Sequence, residues 1–221
     1  YVNQLCLKSH LVHGHPVTLY TTDNVRNVPA GVEVRPASEI MQIDRAIVAE
    51  TSASFLSNVF RYKKIAATGA IWIDTDAFCY RPFPEGMEHI YAGHGMRGAL
   101  NCGVVGMPKT GKLMDALLDY YDNLPTYPAW WGNKQKKKMD KLPSSLPLAA
   151  DTLYPVPFQL NDVFYDPYSQ VEKHFTDRTL SVHIYTNAAR PWWRKNPPIP
   201  GSYIARMCEQ LEIDPTAALE L

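Results

Sequence analysis

The segment Ile71-Trp72-Ile73-Asp74-Thr75-Asp76 ends an apolar run in a pair of carboxylates, Asp74 and Asp76, with one residue between them. In an extended chain, residues two apart point to the same side, so the two carboxylates are expected together. Side by side they repel, and a divalent cation relieves that repulsion. Hard oxygen ligands favour Mg²⁺ or Mn²⁺, with waters and the phosphates of a ligand completing the shell. An apolar strand ending at this point also fits the rule that open α/β sheets bind ligands beyond the carboxyl ends of their strands. The plainer alternative is a turn in which Asp74 caps the segment that follows and Asp76 stands in water.

The elements that would position this pair can be read around it. A helix is expected from about Ser54 to Thr68, with Phe55, Val59, Tyr62 and Ala66 on one stripe, Leu56 and Phe60 widening it, and Gly69 ending it. Ala70-Ile71-Trp72-Ile73 then reads as a strand buried on both faces. Upstream, a helix from Val2 to His13 stops at Gly14, and strands are expected at Pro16–Thr21 and Val32–Arg35. Downstream, Ile90-Tyr91-Ala92 and Gly103-Val104-Val105-Gly106 are strand candidates, and Lys112 to Asn123 reads as a helix. After Leu124 the periodicity dissolves into aromatic and proline-rich loops, until a strand at Leu180–Ile184 and a short helix at Ser202–Leu211. Strand, helix, strand in alternation predicts an α/β fold, a single domain over residues 1–221 with a loop-rich second half.

Composition narrows the function classes. The 221 residues carry 22 Lys+Arg against 22 Asp+Glu, a net charge of zero, which argues against a general nucleic-acid binder. A hydrophobic share of 46% excludes disorder. No apolar run approaches the roughly 18–20 residues of a membrane span. Cys6, Cys79, Cys102 and Cys208 show no C-x-x-C spacing, so buried reduced thiols in a cytoplasmic protein are the expectation, with no signal peptide in view. The run Lys134, Lys136, Lys137, Lys138 and Lys141 reads as an exposed loop, or more sharply as a lid over a diphosphate or a contact with an anionic acceptor or membrane surface.

Several segments, in order along nearly the whole chain, carry a resemblance. Ser57-Asn58-Val59-Phe60-Arg61-Tyr62, then Gly69, then Asp74-Thr75-Asp76, then Arg81-Pro82-Phe83 is similar to a pattern S-D/N-x-x-R-Y, helix, G-G-x-Y/W-x-D-x-D, R/K-P-F. That pattern belongs to the DxD-containing glycosyltransferases of family 32 type, which include yeast-type mannosyltransferases and bacterial capsule and lipopolysaccharide transferases. Gly14-His15-Pro16 with Leu19-Tyr20-Thr21 resembles the family's opening, and Asn101-Cys102-Gly103-Val104 resembles its asparagine segment. Ser181-Val182-His183-Ile184 resembles its late A-x-H-x-W segment, and Pro197 to Tyr203 the tail of bacterial members. The departures are Asn58 where many members have Asp, Ala70 for the second Gly, and the family's opening strand, which would precede Tyr1.

The resemblance implies a GT-A fold and a metal-dependent transfer of a sugar from a UDP- or GDP-sugar to a glycan, lipid or other hydroxyl acceptor, with retention of anomeric configuration. Asp74, Asp76 and Arg61 would be the catalytic set. Asp76 would bind Mn²⁺ or Mg²⁺ directly, and Asp74 would contact the ribose and the metal shell. Arg61 would approach the donor sugar or phosphate, Asn58 and Asn101 would bond sugar hydroxyls, and His183 would complete the metal or diphosphate site. Trp193, with Trp192, would form a stacking platform for the sugar or lie as core under a loop. Two rivals stand beside this reading. A hydrophobic strand ending in D-x-D also opens the haloacid-dehalogenase-type phosphatases, and a nucleotide-sugar-binding module without catalysis would share most of these residues.

Overall fold

Leu5, Cys6 and Leu7, with Val2, form the buried face of α1 (Val2–Val12). The helix stops where Gly14 takes a φ of +82°, a value glycine adopts without a Cβ penalty. Two polar residues on the buried face are bonded rather than stranded. Ser9 Oγ accepts from the Cys79 N–H at 2.8 Å, and His10 Nε2 donates to the Ala77 carbonyl at 3.1 Å. The helix is thus tied to the backbone that follows Asp76. The structure, a computed structural model, describes residues 1–43, 53–94, 99–123, 148–186, 192 and 196–217.

β1 (Val17–Thr21) runs parallel to β2 (Val32–Pro36), with Val17 opposite Val32. Among the described strands β2 is the one partner of β1. α2 (Ala53–Thr68) follows, burying Phe55, Val59, Tyr62 and Ile65 at helical spacing. That stripe packs on Met114, Leu117 and Tyr121 of α3 (Lys112–Asp122). Tyr62 and Tyr121 stack with centroids 5.6 Å apart. Each such apolar side chain contributes about 1.5–3 kcal/mol on burial, which is what fixes α2 and the polar residues it carries.

β3 (Trp72–Ile73) and β4 (Ala77–Cys79) flank the two aspartates. β3 pairs antiparallel with β6 (Ala99–Gly106), which also pairs antiparallel with β5 (Ile90–His94). β4 pairs antiparallel with β7 (Ser181–His183). The architecture is therefore mixed α/β, with helices around small sheets ordered β1-β2, β3-β6-β5 and β4-β7. The expected strand at residues 70–73 is shorter and more open than its apolar composition predicts. Only Trp72 and Ile73 are paired, both half-buried, and Ile71 is 38% exposed. The physical reason is a cleft on one side of β3, described below.

The second half has little regular structure among the described residues. A short α4 (Ala150–Leu153) and 3₁₀ segments at Phe158–Phe164 and Val171–His174 lead to β7. α5 (Tyr203–Gln210) follows, capped by Ser202 Oγ, which accepts from the Ala205 N–H. Arg81 holds this region to the first half, donating from Nη1 to the carbonyls of Thr176, Asp177 and Thr179. His15 Nε2 accepts from the Phe83 N–H at 3.0 Å, joining the two ends of the first half. All four cysteines are buried, and none forms a disulfide. No described helix is long and apolar enough to cross a membrane.

Candidate functional site

Asp74-Thr75-Asp76 is a turn, not the end of an extended strand. The Asp74 N–H donates to the Gly103 carbonyl at 2.6 Å, continuing the β3–β6 ladder by one bond. The Asp74 carbonyl then accepts from the Ala77 N–H at 2.9 Å, closing four residues. The chain reverses and enters β4, whose Ala77 lies opposite His183 in β7. The Asp76 carbonyl accepts from the Ile184 N–H at 2.9 Å, which sets His183 beside the turn.

These connections bring Asp74, Asp76 and His183 to one point, with one ligand atom from each lying within 4.8 Å of the others. His183 Nε2 is 3.7 Å from Asp74 Oδ2 and 3.5 Å from Asp76 Oδ1. The other polar atom of each side chain is held from behind. Asp74 Oδ1 accepts from Arg61 Nη2 at 2.8 Å and from the Trp72 indole N–H at 2.7 Å. Asp76 Oδ2 accepts from the N–H and the hydroxyl of Thr186, both at 2.9 Å. His183 Nδ1 accepts from the Tyr185 N–H at 3.2 Å. One carboxylate oxygen from each aspartate therefore faces the common point, a hard, anionic donor set that fits Mg²⁺ or Mn²⁺. With Nδ1 accepting, the neutral imidazole carries its proton on Nε2. As a cation ligand through Nε2, His183 would take the other tautomer, with its proton on Nδ1.

Charge is arranged to keep Asp74 ionised. Burial works to raise its pKa, but the Arg61 guanidinium, with His183 and the Trp72 N–H, outweighs that and brings it down to about 2. Arg61 is 4% exposed. Burial works to lower its pKa, and the Asp74 carboxylate overcomes this and raises it above the ordinary value. Arg61 Nη1 also donates to Asn58 Oδ1, one turn back on α2, and the guanidinium stacks over the Trp72 ring at 5.1 Å. Arg61, Asn58, Trp72 and Asp74 thus form one bonded unit.

Gly103 makes room for His183. A Cβ built there would lie 2.5 Å from Cδ2 and Nε2 of the imidazole, so any side chain would push the ring out of place. Asn101 lies two residues earlier on β6, its amide oxygen accepting from the Gly103 N–H at 2.8 Å. Its NH₂ is then the group left to meet a ligand hydroxyl.

A cleft of about 1300 Å³ opens in front of Asp74 and Asp76, lined by Tyr20, Phe60, Arg61, Asn101 and Thr186 among others. That volume exceeds the roughly 300–1,000 Å³ of small-molecule pockets, leaving space for a large ligand. Aromatic rings line one wall in contact with each other, Tyr20 to Phe60 at 5.5 Å and Phe60 to Trp72 at 6.0 Å. Asn58, Arg61, Asp74, Asp76 and Asn101 all border the cleft, with His183 in contact with both aspartates behind them. Trp193 and the Lys134–Lys141 run lie outside the described residues. Trp192 is 53% exposed, so it is not core under a loop.

The residues that sequence reasoning left without a role are Trp72, Gly103 and Thr186. Trp72 had a readable signal, since it sits two positions before Asp74, on the same side of an extended strand. Gly103 and Thr186 had none, because each acts across a pairing that only the folded chain creates. Compared with known proteins, the chain matches no family model, no curated protein and no solved structure.

Proposed function

We propose that the protein is a metal-dependent glycosyltransferase of GT-A type, moving a sugar from a nucleotide-sugar donor to a hydroxyl acceptor with retention of anomeric configuration. The observation that carries this reading is the convergence of Asp74, Asp76 and His183, each held from behind, at the edge of a cleft that also presents Arg61, Asn58 and Asn101. Asp74, Asp76 and His183 would hold Mn²⁺ or Mg²⁺. A divalent cation there would supply the positive charge that a departing nucleoside diphosphate needs.

The chain's own residues account for the rest. Arg61 keeps Asp74 ionised and fixed, so the carboxylate need not reorganise when a ligand arrives. Thr186 fixes the orientation of Asp76, with two donors on one oxygen. Asn101 and Asn58 offer amide groups of the kind that select among sugar hydroxyls. The bonds on Asp74 also favour this reading over the phosphatase rival. A nucleophilic carboxylate needs an approachable oxygen, whereas here one oxygen takes two donors and the other is turned toward Asp76 and His183.

The test is a panel of UDP- and GDP-sugars incubated with Mn²⁺ and followed by NMR. One donor class should be consumed, releasing sugar in the donor's own anomeric form, and Asp76→Asn should lower the rate by at least ~10²-fold while the protein stays folded. No consumption of any donor, or an Asp76→Asn rate within a few-fold of the parent, overturns the proposal.

A further inference from the structure

The indole N–H of Trp72 and Nη2 of Arg61 meet on the same atom, Asp74 Oδ1, at 2.7 and 2.8 Å. Two donors on one carboxylate oxygen fix the plane of the group and leave Oδ2 as the oxygen that faces His183 and Asp76. The Trp72 ring is itself fixed, stacked under the Arg61 guanidinium on one side and packed edge-on against Phe60. Trp72 is half-buried in β3, two residues before Asp74, so the backbone that places one places the other.

We infer that Trp72 is a positioning residue, whose N–H commits Asp74 to serve a divalent cation through Oδ2 alone. This rests on the metal reading of the Asp74, Asp76 and His183 cluster and names how one of its ligands is oriented. With Arg61 alone on Oδ1, the carboxylate can rotate about its last torsion, which is broad and has no strong preference of its own. The indole closes that freedom. Groups that orient a ligand from behind typically change metal affinity by about 10–100-fold when removed.

The experiment compares the parent with Trp72→Phe, which keeps an aromatic ring under Arg61 and against Phe60 but has no N–H. Mn²⁺ is titrated by electron paramagnetic resonance with no other ligand present, and the thermal midpoint is measured alongside. The expected result is about tenfold weaker Mn²⁺ binding with a midpoint shifted by only a few degrees. A second measurement covers the case in which the variant does not fold. The parent has five tryptophans. One indole N–H signal, that of Trp72, should exchange slowly with solvent and lie downfield. In Asp74→Ala, which removes the acceptor, it should move upfield and exchange faster. Equal Mn²⁺ affinity in parent and Trp72→Phe, or an indole signal indifferent to Asp74→Ala, overturns the assignment of Trp72 and leaves the metal site standing. A parent that binds no Mn²⁺ overturns the metal reading, and the role of Trp72 with it.

Discussion

Gly103 is the residue on which the approach of His183 to the aspartates depends. A methyl group at its Cα would stand 2.5 Å from the imidazole, far inside van der Waals contact. Gly103→Ala should therefore push His183 off the cluster and weaken Mn²⁺ binding about tenfold. Overpacking of this kind also costs about 1–3 kcal/mol of stability. Gly106→Ala in the same strand is the control, since its Cβ would crowd Ile90 and not the site. Titration of Mn²⁺ into both variants decides the matter, with loss expected for Gly103→Ala alone. Arg61 illustrates a residue with two duties. Bonded to Asn58 and Asp74 and stacked on Trp72, it is a structural member of α2 as well as a candidate ligand for the proposed donor. Arg61→Lys keeps the charge but loses the planar fork. Both turnover and stability should fall, stability by about 1.5–3 kcal/mol, as expected for a hydrogen bond to a charged group. Denaturant unfolding and donor consumption measured on the same preparation check the two effects. Unchanged stability would show that the fork is not needed to hold the turn.

At the scale of elements, α1 and β4 are joined through His10, and this gives the fold a pH dependence. Burial lowers the pKa of His10 from 6.5 to about 4, while its bond to Ala77 works the other way. In the unfolded chain the imidazole takes its proton near pH 6.5, and in the fold only near pH 4. Stability is therefore complete above about 6.5 and falls as the pH drops from there to about 4, by at most about 1.4 kcal/mol per pH unit for this group. His10→Gln removes the titration and keeps an N–H for the Ala77 carbonyl. Unfolding curves at about pH 7, 6, 5 and 4 should show a shallower slope for the variant, and parallel slopes would contradict the assignment. The elements themselves were partly legible in the chain. α1 and α2 stop at Gly14 and Gly69, β2 stops at Pro36, and the expected bounds of α1, β1, β2, α2 and α3 lie within a residue or two of those observed. β4, three residues long, was not legible, nor was the pairing of Ala77 with His183 more than a hundred residues on. Hydrophobic pattern reports which face of a strand is buried and carries no information about its partner. The Asp74–Asp76 turn was hidden for a related reason, since the reversal depends on a bond from the Asp74 N–H to Gly103 on another strand.

Across the whole molecule, the candidate site sits where separate groups of core residues meet. Arg61 precedes Tyr62, which belongs to the core between α2 and α3. Asp76 precedes Ala77, in the core of β4, β5 and β6, and Phe78, in the core around α1, β7 and α5. His183 is flanked by Val182 and Ile184 of that same core. Each functional side chain is thus anchored by an immediate neighbour in the chain, and the polar groups lie at the junction, where apolar packing leaves a gap. The proposed function requires this junction to bind a cation and a nucleoside diphosphate together. Asp74 and Asp76 offer a cation few ligands by themselves, and a diphosphate supplies more oxygens and needs the positive charge. The most direct measurement is calorimetric titration of UDP and of GDP into the parent and into Asp76→Asn, each with and without Mn²⁺. Mn²⁺ should tighten one of the two nucleotides by about 5–150-fold in the parent, with the reciprocal effect on the metal, and Asp76→Asn should abolish the coupling. Equal binding with and without Mn²⁺, or no binding of either nucleotide with Mn²⁺ present, would contradict it.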